Sequence, residues 1–150
     1  TSRVENREKF LSFYASEAIT KGDLVAFDFT ATEPTNGYGN HVLIADTDDD
    51  GTVGSGFNLV GIGVAVESIS SGDVGIIQVA GVCDVAKIDS DQVAPGELLC
   101  AGADAGLLDI YDTSAAKGSG GDQLPVAILI TDSGADTATS TVFLLNPANL

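Results

Sequence analysis

Eight short apolar runs, each closed off by a turn signal, constrain the fold of this chain more than any other feature. Each run is rich in Val, Ile, Leu and Phe and is too short for a typical helix. Turn residues separate the runs, as in Asn36-Gly37, Asp50-Gly51 and Pro95-Gly96. The spacing predicts an all-β fold, a small single-domain sandwich or barrel of about eight short strands. The runs are 23–30, 41–46, 57–67, 73–87, 97–102, 107–111, 125–131 and 141–145.

The runs show little of the apolar-polar alternation that marks a strand with one face in water. Several strands are therefore expected to be covered on both faces. In a small β domain, within a chain of 150 residues, this pattern suggests burial against other subunits.

The first 21 residues differ in charge from the rest of the chain. Residues 1–21 carry a net charge of +1, whereas residues 22–150 carry −17, and the whole chain carries −16. We interpret residues 1–21 as an N-terminal arm, extended or briefly helical, and residues 22–150 as the β domain.

The acidic charge limits the kinds of partner. It repels the phosphate backbone of nucleic acids and the surface of anionic membranes, so neither is expected to bind. No apolar run reaches the roughly 18 residues that a membrane-spanning helix needs.

Asp132 is the strongest candidate for a catalytic residue, because "ILITDSGAD" is the local signature of an aspartic protease. Only 14 residues follow Asp136, too few to build the rest of such an active site. We therefore expect Asp132 to be a turn residue.

His41 is the only histidine, so neither a catalytic triad nor a histidine metal centre is expected. The chain is predicted to have no enzymatic activity and no cofactor.

Residues 46–51, "DTDDDG", match the first six positions of a calcium-binding loop. The twelfth position, where a bidentate Glu is expected, is Phe57. A solvated acidic hairpin tip is the preferred interpretation. The weak candidate ligands are Asp46, Asp48 and Asp50.

The two cysteines, Cys83 and Cys100, lie in apolar stretches. We expect two buried thiols, and a disulfide between them is the alternative.

Three segments share one pattern: "ITKGDLVAF", "ISSGDVGIIQV" and "VAPGELLCA". Each has Gly followed by Asp or Glu at the start of an apolar run. A weak internal repeat would explain the pattern. The alternative, which we favour from sequence alone, is that Gly-Asp/Glu is a common entry to a hairpin.

Residues 61–111 resemble tailed-phage capsid decoration (cement) proteins, through "GIGVAVESISSGDVGIIQVAGVCDVAK" and "APGELLCAGADAGLL". Looser agreement continues in "LPVAILITD" and "VFLLNP". The chain departs from the family in its acidic insert, 46–52, and in having Cys100 where an aromatic or small residue is usual. The resemblance implies a homotrimer of small β domains.

The resemblance also implies a function. Such a trimer binds the major capsid protein on the outer surface of the virion, after assembly in the host cytoplasm, and stabilises the shell. The arm combines cationic and aromatic side chains, a mixture enriched at interfaces, so it is expected to contact the capsid or a neighbouring subunit. An alternative is a glycan- or receptor-binding β module, possibly assisted by calcium. The candidate contact residues are Arg3, Arg7, Lys9, Phe10, Phe13 and Tyr14.

Overall fold

The computed structural model describes residues 8–28, 39–45, 61–88, 94–102, 105–111, 125–131 and 139–145. These residues form nine strands and no helix, which confirms the all-β prediction. Each of the eight predicted runs contains a strand, and one further strand, β1, precedes them. The strands are β1 Lys9–Ala15, β2 Leu24–Phe27, β3 His41–Ile44, β4 Gly61–Ala65, β5 Val74–Lys87, β6 Leu98–Ala101, β7 Leu108–Ile110, β8 Ala127–Thr131 and β9 Thr139–Leu144.

Strands β1 to β5 close into a barrel, which we call the first ring. Their order is β1-β3-β2-β4-β5, and β5 pairs back onto β1 to complete the circle. The pairing of β1 with β3 is parallel, and the other pairings are antiparallel. Apolar side chains fill the interior: Phe13, Ala15, Ile19, Val25, Val42, Ala65, Ile69 and Ile77.

Strand β5 has 14 residues and belongs to two rings. Its first half pairs with β1 and β4, and its second half pairs with β9. From β9 the sheet continues in the order β9-β8-β6-β7. A parallel bridge between Ile88 and Leu108 brings β7 back to the end of β5. We call β5 to β9 the second ring.

The two rings repeat one pairing scheme. In both, the first strand runs parallel to the third, and the remaining neighbours are antiparallel. The register is also the same, so a row of directly opposed residues in the first ring has a counterpart in the second. The first row is Leu24, Val64, Gln78 and Phe10, and the second row is Leu98, Ile128, Phe143 and Val82. The structure therefore supports the internal repeat that sequence alone left open.

The three Gly-Asp/Glu segments form the same turn. In each, the Gly has a positive φ, of 95°, 85° and 93° at Gly22, Gly72 and Gly96. A residue with a Cβ adopts this conformation only with strain. The Gly N–H donates a hydrogen bond to the carbonyl of a residue in a distant strand. The N–H of that same strand residue donates to the carbonyl of the Asp or Glu that follows the Gly. The distant residues are Ala65 (2.8 and 3.0 Å), Ala15 (2.7 and 2.9 Å) and Leu129 (2.8 and 2.9 Å), respectively.

The turn at Gly22 and Asp23 lies where the two rings meet. The Asp23 carboxylate accepts a hydrogen bond from the Thr20 N–H at 2.9 Å and forms an ion pair with Lys87, also at 2.9 Å. The backbone of Lys87 donates to the Gly22 carbonyl at 3.2 Å, and the Leu24 N–H donates to the Gly106 carbonyl at 2.8 Å. The turn at Gly22 and Asp23 is thus hydrogen-bonded both to the end of β5 and to the turn at Gly106 that leads into β7.

The main core lies between the rings. It combines side chains on the outer face of the first ring, such as Leu24, Ala26 and Val64, with the interior of the second ring, such as Leu99 and Leu129. Full burial of a large apolar side chain stabilises a fold by about 1.5–3 kcal/mol. The first ring therefore forms one wall of the core of the second.

Substituting Ala at Gly22 and at Gly96 separates the strain of the turn from the packing between the rings. A Cβ at Gly22 would lie 2.5 Å from the Val85 carbonyl oxygen, whereas a Cβ at Gly96 would meet nothing within 4 Å. Gly96→Ala is expected to lower the free energy of unfolding by about 1 kcal/mol, through backbone strain. Gly22→Ala adds a backbone clash and is expected to cost about 3 kcal/mol or more. Urea unfolding of both variants measures the difference, and equal losses would contradict this account of the junction.

Candidate contact surface

The predicted arm includes a strand of the first ring. Lys9 and Phe10 are exposed on β1, as expected for contact residues. Phe13, in contrast, is buried in the first ring and packs edge-to-face on Phe27, with ring centroids 6.0 Å apart. Tyr14 is half-buried and stacks on His41 at 5.2 Å. Phe13 is therefore a core residue and is not available for a contact with another protein.

Arg3 and Arg7 lie outside the described residues, so their part in the predicted contact stays a prediction. The described part of the 1–21 range does not stand apart from the barrel. The alternation of side chains along a strand could have shown that this segment is part of the barrel. Phe13 and Ala15 face inward, while Phe10 and Tyr14 face outward. The expectation of an arm, extended or briefly helical, did not use this alternation.

Phe10, Val74 and Ile76 form an exposed apolar surface on the outside of the first ring, which we call the first-ring patch. Ile76 lies opposite Ser12, and Val74 lies opposite Tyr14, so these side chains share one face of the β1–β5 pair with Phe10. Their exposed fractions are 47% for Phe10, 55% for Val74 and 41% for Ile76. Val74 and Ile76, the two residues of the patch on β5, were not among the contact residues predicted from the sequence.

Leu98, Ile128, Ile130 and Phe143 form a second apolar surface, the second-ring patch. Leu98 lies opposite Ile128, and Ile128 lies opposite Phe143, so the patch crosses three strands. Leu98 and Ile130 are 40% and 42% exposed, and the other two are half-buried. The weak alternation of the runs was the signal for this surface, because it left apolar residues at outward positions.

The residues that make up both patches are uncharged, although the chain carries a net −16. Charged residues lie at their borders, with Lys9 and Asp73 beside the first patch and Glu97 beside the second. Glu67 also borders the first patch, where its carboxylate accepts a hydrogen bond from the Ile76 N–H at 3.0 Å. An apolar centre with a polar rim is the usual anatomy of a protein interface. The arrangement can bind another protein surface.

The other candidate sites have no counterpart among the described residues. In those ranges no cluster of three His, Cys, Asp or Glu side chains could hold a metal ion. Asp46, Asp48, Asp50 and Asp132 lie outside the ranges that the structure describes. The Nδ1 atom of His41 is buried and has no hydrogen-bond partner within the described part of the chain. The same part of the chain contains no helix long and apolar enough to span a membrane.

Cys83 and Cys100 are buried thiols that are not joined by a disulfide, as the preferred interpretation predicted. Burial raises the pKa of the Cys83 thiol above its ordinary value of 9.0, and the negative charge of Asp84 acts in the same direction. Backbone hydrogen bonds at Val85 and Ala86 oppose this rise. Cys83 is therefore a neutral core residue.

No protein-family model matches the chain, and no curated protein matches it. Among solved structures, the chain is similar to the head fiber gp8.5 N base of bacteriophage phi29, with a TM-score of 0.51 and 15% sequence identity. The similarity covers 92% of this chain and 94% of that chain. The two proteins share a fold.

The raised pKa of Cys83 predicts a loss of stability in alkali. Above pH 9.0 the unfolded thiol ionises while the folded thiol keeps its proton, so the contribution of Cys83 is complete below pH 9.0 and is lost as the pH rises. The free energy of unfolding should therefore fall between pH 8 and pH 10. Urea unfolding at both pH values measures the fall, and Cys83→Ala is the control. The same fall in Cys83→Ala would show that other groups cause it.

Proposed function

We propose that this protein is a structural component of a bacteriophage head. It binds the outer surface of the capsid as a homotrimer, contacts the major capsid protein and stabilises the shell without catalysing a reaction. The observation that carries this proposal is the fold shared, over nearly its whole length, with the base of a phage head fiber. At 15% identity the support comes from the fold, and the resemblance of residues 61–111 to decoration proteins points in the same direction.

The contact surfaces support a binding role. An acidic protein that assembles with copies of itself needs charge-free surfaces, because like charges brought together across an interface are costly. The first-ring and second-ring patches supply uncharged, apolar residues for such a contact. The remaining acidic surface keeps the assembly soluble before it reaches the head.

A non-enzymatic role agrees with what the acidic side chains do. Asp23 pairs with Lys87, and Ser16 donates to Asp28 at 2.6 Å. Glu17 and Glu67 accept backbone N–H groups of neighbouring strands at 2.8 and 3.0 Å. These carboxylates bind backbone and side-chain donors of the fold itself.

Attachment of a head fiber is a second candidate function, favoured by the fold shared with the phi29 protein, which is the base of a head fiber. A cement protein and a fiber base both bind the head, but only a cement protein makes the shell more resistant. Thermal rupture of heads with and without bound protein distinguishes them. A higher rupture temperature supports cementing, and binding without such a rise supports fiber attachment.

Co-sedimentation with undecorated phage heads tests the proposal. The wild-type chain is expected to pellet with the heads, and failure to pellet would overturn the proposed function. Deletion of residues 1–7 removes Arg3 and Arg7 but spares β1, which begins at Lys9. We expect this deletion to weaken binding about tenfold, or about 1.4 kcal/mol. An unchanged unfolding midpoint is the control, and undiminished binding would exclude the arm from the contact.

The strength of self-association should increase with salt. Each copy carries −16, so assembly brings together like charges that salt screens. The trimer is therefore expected to dissociate less at about 0.5 M salt than at about 10 mM. Sedimentation equilibrium at the two salt concentrations measures this, and a trimer that falls apart as salt rises would show that ion pairs hold it together.

A further inference from the structure

Equivalent residues on the outer faces of the two rings differ in burial. The outer-face residues of the first ring are covered by the second ring, whereas their equivalents in the second ring are exposed or half-buried. In the first ring, Leu24 and Val64 are fully buried, because the interior of the second ring packs against them. Their counterparts in the second ring are Leu98 and Ile128. Leu24 is 0% exposed, whereas Leu98 is 40% exposed. The outer face of the second ring is therefore apolar at positions whose equivalents in the first ring are buried by another ring.

The turn beside this face shows the same contrast. A Cβ at Gly22 would meet the Val85 carbonyl oxygen at 2.5 Å, because β5 crosses the turn there. At Gly96, with nearly the same φ and the same pair of backbone hydrogen bonds, a Cβ would meet nothing within 4 Å. The face and its turn are both open in the second ring.

We propose that a second copy of this chain covers the second-ring patch, and that it does so with its first-ring patch. In the contact, Leu98, Ile128 and Ile130 of one copy pack against Phe10, Val74 and Ile76 of the next. The inference rests on the homotrimer of the proposed function and names the surfaces that form it.

Symmetry requires two different surfaces. A closed assembly of three copies is built from head-to-tail contacts, in which one surface of each copy meets another surface of its neighbour. Six large apolar side chains are exposed among the described residues, and five of them belong to the two patches. The sixth, Leu11, points to the opposite face of β1 from Phe10. The two patches are therefore the two halves of the contact.

Charge limits where a second copy can bind. A cationic protein would be bound by the acidic surface of this chain, whereas another copy, also at −16, is repelled by it. Self-association is therefore favoured on surfaces without charge. The residues at the centres of both patches are uncharged and apolar, and they lose water when they meet.

Two double variants test the contact, one for each patch: Val74→Gln with Ile76→Gln, and Leu98→Gln with Ile130→Gln. Each is expected to reduce the mass in sedimentation equilibrium to about one third, that of a monomer. Leu11→Gln is the matched control, equally exposed and outside both patches, and is expected to stay trimeric. A trimeric patch variant, a monomeric Leu11→Gln or a monomeric wild type would overturn the proposal.

A mixture of the two double variants tests which surfaces meet. One variant keeps an intact second-ring patch and the other an intact first-ring patch, so the mixture has one working contact. A dimer is expected in the mixture and in neither variant alone. A dimer formed by one variant alone would overturn the proposal, because it would show that a patch binds itself.

Disulfide trapping gives a result that does not depend on the stability of the Gln variants. A chain with Ile76→Cys and Leu98→Cys, oxidised with copper phenanthroline, is expected to give covalent dimers and trimers on a denaturing gel. Leu11→Cys with Leu98→Cys is the control and should remain monomeric. Absence of cross-links in the first variant would overturn the proposal.

Head binding separates this inference from the proposed function. Trimers that survive both double substitutions, in a protein that still pellets with heads, would overturn the contact and leave the function standing. Variants that dissociate as expected, from a wild-type trimer that ignores heads, would overturn the function and leave the contact standing.

Discussion

The turn at Gly22 and Asp23 is the constraint on which the two-ring structure depends. Its backbone clamps β4 in the first ring and the end of β5, and the next residue binds the Gly106 carbonyl in the second ring. The ion pair of Asp23 with Lys87 closes the junction, with side chains only 9% and 20% exposed. Removing one partner of such a sheltered pair leaves a charge with little water around it, at a cost of about 3 kcal/mol. No side chain larger than that of Gly fits the first position, because Val85 lies against it.

The same turn occurs three times, and in each the Gly supplies the positive φ that the turn requires. In two of the three turns the following acid also supplies a carboxylate for a nearby backbone N–H. The Asp23 carboxylate accepts from Thr20, and the Glu97 carboxylate accepts from Ala94, at 2.9 and 3.2 Å. With the turn fixed, the strand after it starts in the same register in each ring. The repeat is therefore stronger in the pairing than in the sequence.

The sequence predicted the strands well and their faces poorly. All eight apolar runs contain strands, because short β-branched stretches between turns have few alternatives. Weak alternation correctly indicated burial on both faces: Leu24, Val25 and Ala26 are all 0% exposed. The cover, however, is the second ring of the same chain rather than another subunit. Strand order could not be read from the sequence, because it depends on contacts between distant segments such as β1 and β5.

The contact surface was only partly predictable for the same reason. Lys9 and Phe10, two predicted contact residues, are exposed, but Phe13 belongs to the core, and Val74, Ile76 and Leu98 were not predicted. An outward apolar residue looks like a core residue until the partner strand is known. Only comparison of equivalent positions in the two rings shows that Leu98 lacks the cover that Leu24 has.

Because β5 completes both rings, the chain cannot be divided into two self-sufficient halves. A cut on either side of β5 would take a strand from one ring and leave the interior of that ring open to water. Damage within β5, by a protease or by local melting, would remove the support of both rings at once. Two domains joined by a linker can unfold separately. Here the two rings share β5, so they are expected to unfold together.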